Sequence, residues 1–129
     1  MKNEAAKEWL SLARNDLAAA KALQAYPSQA RNICFHAQQA GEKALKALYV
    51  WRGDSPLKTH DLELLLHRLL GTFPRLMQLE EACSVLTLYA VDARYPGLDV
   101  EEEEIEPALV QAETMVNMVA DLMGEKIWP

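Results

Sequence analysis

Apolar residues recur along this chain at helical spacing, and each run stops at a Pro or Gly break. The pattern is clearest in the second run. Ile33, Ala37, Ala40, Ala44, Leu48 and Trp51 fall on one side of a helix with about 3.6 residues per turn, a seam of mostly small side chains. Ala6, Trp9, Leu10, Ala13, Leu17 and Ala20 repeat the pattern upstream. Leu62, Leu65, Leu66 and Leu69 form a shorter stripe, followed by Leu76, Leu79, Ala82, Cys83, Leu86 and Ala90. The last runs from Ala108 through Ala112, Met115, Val116, Val119 and Leu122 to Met123. Ala and Leu lead the composition and Gly is scarce, which favours helices over a sheet. Such stripes must be hidden against one another. The expected fold is all-α, an up-and-down four-helix bundle with an additional short helix.

The breaks set the expected boundaries at 3–24, 28–52, 60–70 and 75–92, with a last helix starting near Glu102. Tyr26-Pro27-Ser28 ends the first helix, because Pro biases the residue before it away from α, and Ser28 is placed to cap the second. Arg52-Gly53-Asp54-Ser55-Pro56 ends the second. Thr59 is expected to cap the third, with Asp61 in its first turn. Glu101 to Glu104 and Glu106 suit a helix start, where exposed N–H groups carry partial positive charge, and Pro107 is tolerated near a first turn. Gly41 costs about 1 kcal/mol against Ala inside a helix, which close approach of a neighbouring helix would compensate.

A length of 129 residues supports one core, hence a single domain over 1–129. No apolar run reaches a membrane span and the N-terminal residues lead into a helix rather than a signal peptide, so a cytoplasmic location is expected. Cys34 and Cys83 sit inside apolar stripes without CxxC spacing and read as buried free thiols. His60, Glu63 and His67 have a spacing compatible with metal ligation, but no further ligand is evident; neither metal nor cofactor is expected.

The formal net charge of −6 argues against a long duplex as partner. The balance reverses locally. Between Arg31 and His60, the cations Arg31, Lys43, Lys46, Arg52 and Lys58 outnumber Glu42 and Asp54 by three, and two of the three His lie there. Almost opposite the apolar seam, His36, Gln39, Lys43 and Lys46 line one polar stripe at steps of three and four. An imidazole, an amide and two ammonium groups in a row suit an anionic partner; the same stripe also reads as the wet side of a core helix. Asp16, at the edge of the first stripe, is either an exposed charge or the partner of an Arg or Lys across the bundle. Arg94 and Tyr95 precede Pro96-Gly97 and could bind a phosphate and meet a base, or satisfy a helix end and pack on the core rim.

Cys34-Phe35-His36-Ala37-Gln38-Gln39-Ala40-Gly41-Glu42-Lys43-Ala44-Leu45-Lys46-Ala47-Leu48, then Lys58-Thr59-His60-Asp61-Leu62, then Ala93-Arg94-Tyr95-Pro96, together with Asp16-Leu17, resemble the HEPN domain family (higher eukaryotes and prokaryotes nucleotide-binding). The resemblance covers nearly the whole chain, with the segments in the family's order. It implies a helical domain and one of three roles. The first is a module that binds nucleotide-like or phosphate-bearing ligands, a nucleotide or short RNA, through His36, Gln39, Lys43, Lys46, Lys58, His60, Arg94 and Tyr95. It would act as a homodimer beside a nucleotidyltransferase partner in a toxin–antitoxin-like pair. The second is a metal-independent endoribonuclease toxin, with Arg31, His36, His60 and Arg94 as the catalytic candidates. The third is a dimeric interaction module without ligand. The family's nuclease pattern places Arg and His four to six residues apart on a later helix. Arg31 and His36 have that spacing on the second helix, Arg52 and His60 are too far apart, and no His follows Arg94.

Overall fold

Among the described residues, three long helices and two short ones carry the fold. A computed structural model describes residues 2–90 and 99–126, so Arg94, Tyr95 and Trp128 lie outside the described residues. The helices are α1 (Lys2–Leu23), α2 (Ala30–Arg52), α3 (Leu62–His67), α4 (Glu80–Leu86) and α5 (Ile105–Leu122). Among the described residues there is no strand, and the fold is all-α as the apolar spacing requires. No helix among them is long and apolar enough to cross a membrane.

Side-chain pairs give the directions. Ala20, near the end of α1, packs with Ala30 and Ile33 at the start of α2, so the two run antiparallel. The ion pairs Lys7–Glu125 and Lys21–Glu113 set α1 antiparallel to α5. Ile33 shares its cluster with Ile105 and Leu109, so α2 and α5 start at the same end. Arg75 pairs with Asp121 while Tyr89 bonds to Glu104, so the segment around α4 runs against α5. These pairs describe an up-and-down arrangement with α3 as the short insertion.

Helix α2 is central. Ile33, Ala37, Ala40, Ala44 and Leu48 are fully buried, and so are Cys34, Leu45 and Ala47 beside that seam. At Gly41 both α5 and α4 approach α2 closely: a Cβ built there would lie 2.9 Å from Met115 Sδ and 3.5 Å from Leu86 Cδ1. Gly53 ends the helix with φ of 99°, a left-handed conformation that Gly alone adopts cheaply. Cys34 and Cys83 are buried and free, and burial pushes the thiols up to about 11 and about 12 respectively.

Several local expectations are corrected. Ser28 lies inside a tight 3-10 turn, Pro27–Gln29, so α2 starts at Ala30 behind Gln29 and no side chain caps it. The cap of α3 is Asp61 rather than Thr59. Asp61 Oδ1 accepts from the Leu64 N–H at 3.1 Å, while Thr59 Oγ1 accepts one step earlier, from Asp61 N–H. The expected fourth helix is a composite in which 3-10 turns Pro74–Leu79 and Thr87–Tyr89 flank α4. The last helix opens with a 3-10 turn, Glu102–Glu104. Glu101 and Glu104 close a capping box there, each side chain accepting from the other residue's backbone N–H.

Candidate functional site

Two carboxylates organise the polar side of α2. Asp16, from α1, has one oxygen 2.9 Å from His36 Nδ1 and the other 2.6 Å from Lys43 Nζ. Of the two readings open for Asp16, the pairing across the bundle is the one found. Glu42 repeats the arrangement within α2 and across to the following connection. Its Oε1 lies 2.8 Å from His60 Nδ1, and its Oε2 accepts from Lys46 Nζ at 3.0 Å. Because Glu42 and Lys43 are consecutive, the two clusters are neighbours. Gln38, fully buried, donates to Glu42 Oε1 and to the His60 carbonyl, and its own oxygen accepts from Gln39 Nε2. Both the ring and the backbone of His60 are thereby held onto α2.

An ionised carboxylate only accepts hydrogen bonds, so the hydrogen in each Nδ1···O contact belongs to the imidazole. A neutral His36 or His60 therefore carries its lone pair on Nε2. Among the described residues, neither Nε2 has a partner, and the side chains are 33% and 61% exposed. A carboxylate behind an imidazole fixes its tautomer and leaves the outer nitrogen ready to take a proton or, once charged, to hold an anion. Burial drives the Glu42 carboxyl up, but hydrogen bonds from His60, Gln38 and Lys46 outweigh it and hold the group below its ordinary value.

The charge picture differs from the formal count. Lys43 and Lys46 are each matched by a carboxylate, and Arg31 lies 3.7 Å from Asp99. With both rings neutral, the band formed by Asp16, His36, Glu42, Lys43, Lys46 and His60 has no net charge. It gains one positive charge with each imidazole that protonates. Arg31 and His36 pair with different carboxylates, Asp99 and Asp16. Lys58 is exposed and forms no ion pair among the described residues. His60 precedes α3 and bonds to Glu42, while His67 Nε2 lies 3.7 Å from Glu80, so the metal spacing noted for His60, Glu63 and His67 is not realised. Among the described residues, no group of three or more His, Cys, Asp or Glu could hold a metal.

The profile of the HEPN domain matches residues 6–123. This chain belongs to the HEPN domain family. The crystal structure of TT1696 from Thermus thermophilus is similar to it, with a TM-score of 0.81 at 31% identity, covering 90% of this chain and 96% of that one. No curated protein matches the sequence. Within the HEPN frame, sequence reasoning found the outer members of the band and missed Gln38 and Glu42 as its inner ones. A signal existed: Gln38 and Glu42 are spaced i, i+4 and flanked at helical spacing by Cys34, Gly41 and Leu45. Polar groups among apolar neighbours need internal partners.

Proposed function

We propose that this small HEPN protein binds nucleotide-like or phosphate-bearing ligands along the α2 band. In this reading it is a cytoplasmic homodimer that works beside a nucleotidyltransferase in a toxin–antitoxin-like pair. The observation that carries the binding reading is the pair of imidazoles, each backed through Nδ1 by a carboxylate with a lysine on the same carboxylate. A phosphate arriving at Nε2 would favour the protonated ring, which then donates a charged hydrogen bond. Lys58, Arg94 and Tyr95 complete the ligand set in this reading. Calorimetry with ATP and with a short RNA tests it. Replacing His60 with Gln or Arg94 with Ala should weaken binding by about 1–3 kcal/mol, the cost of losing a charged hydrogen bond. Lys43→Ala should act similarly, with thermal denaturation as a control because Lys43 also ties α2 to Asp16. Wild type that binds neither ligand, or variants that bind as tightly as wild type, would sink the proposal.

The same geometry favours one second reading. Two imidazoles with outward Nε2 atoms could act as base and acid in metal-independent cleavage of RNA at a 2′-hydroxyl. Incubation with structured RNA in EDTA separates the two readings: cleavage lost in His36→Ala and His60→Ala supports the nuclease, and intact RNA supports a binding module.

A further inference from the structure

A second group of cations gathers where α2 ends, outside the His36–Lys46 band. Arg52 is the last residue of α2, and Arg68 follows α3 directly. Both line a cleft of about 600 Å³, with Tyr49, Asp54, Ser55 and Leu57 as its other walls. Arg52 is fixed in place. Its Nε donates to Asp54 Oδ2 at 2.7 Å, its Nη1 donates to the Arg68 carbonyl and to Thr72 Oγ1, and its guanidinium carbon lies 5.4 Å from the centre of the Tyr49 ring. Among the described residues, these bonds leave Nη2 uncommitted. The Tyr49 hydroxyl is used, donating to the Leu65 carbonyl. The Arg68 guanidinium makes no hydrogen bond or ion pair among the described residues, and Ser55 stands exposed beside it.

Among the described residues, two arginines thus line the cleft against one carboxylate. Neighbouring like charges repel, so an anion seated between the two arginines would relieve that repulsion. A planar fork next to a second fixed guanidinium matches the oxygens of a compact oxyanion. We infer that this cleft is an anion-binding site for a small phosphate monoester, separate from the α2 band. The phosphate lies between Arg68 and Arg52 Nη2 with Ser55 as a further donor, and Leu57 takes an apolar body.

The test is an NMR titration of the full chain with inorganic phosphate and with glycerol phosphate at constant ionic strength. Backbone amides of Gly53, Ser55 and Arg68 should shift saturably. Arg68→Ala should weaken binding at least tenfold, and Arg68→Lys, which keeps the charge and loses the fork, should fall between. Lys43→Ala should leave these shifts unchanged, so failure here is distinguishable from failure of the α2 band as a ligand site. Absence of saturable shifts at millimolar phosphate, an Arg68→Ala variant that binds like wild type, or an equal response to acetate overturns the inference.

Discussion

Glu42 is only 4% exposed, yet it is charged and takes hydrogen bonds from Lys46, His60 and Gln38. Removing such a group strands its partners, so Glu42→Ala should cost about 3 kcal/mol of stability. Glu42→Gln, which keeps the shape, should cost less. The pH dependence follows from the direction of its shift. The folded carboxyl is held below its ordinary value of 4.5, so on acidification the unfolded chain takes up the proton first. The contribution of Glu42 is therefore fully present above that value and is lost as the pH falls through the lower folded one. Urea denaturation at pH 7 and pH 3 should show the gap between wild type and Glu42→Gln narrowing in acid. A gap of equal size at both pH values would mean that the ionised form is not what stabilises.

At the scale of the element, α2 combines a helix-weakening Gly with close packing against α5 and α4. Gly41→Ala should gain about 1 kcal/mol in helix preference. The added Cβ meets the Met115 thioether, the outer part of a flexible side chain that can shift, although Met115 is fully buried. The two effects oppose, and the net change should stay within about 1 kcal/mol. Gly41→Leu has no such escape and should destabilise by about 2 kcal/mol or more through overpacking. Chemical denaturation of both variants checks this. A Leu variant as stable as wild type would show that α5 and α4 are not seated on Gly41. The short α3 is a contrast: six residues cannot sustain a helix by propensity, and Asp61 as cap and the buried Leu62, Leu65 and Leu66 hold it.

For the whole molecule, the apolar surface remaining outside bears on assembly. Leu12, Tyr26, Met77, Leu88 and Val110 are each about half exposed or more, whereas Trp9 and Trp51, on the inward stripes, pack against the core. A dimer that covers part of this surface is the expected state in solution. Light scattering at high micromolar concentration should return about twice the chain mass of 14.5 kDa; a monomer would refute it. The sequence by itself determined the helical class, the inward faces of α1, α2 and α5, and the outer members of the band. Helical spacing registers a buried face whatever packs against it, and His36, Gln39, Lys43 and Lys46 share a side of α2 by local geometry alone. The pairing of Asp16 with His36 and Lys43, the burial of Gln38 and Glu42, and the return of His60 onto α2 were decided by tertiary structure. Each depends on which neighbour covers a given arc of α2, and local periodicity carries no record of the partner. The cleft between Arg52 and Arg68 is of the same kind. Sixteen positions separate the two in sequence, and only the fold of the 53–61 connection and α3 sets them side by side.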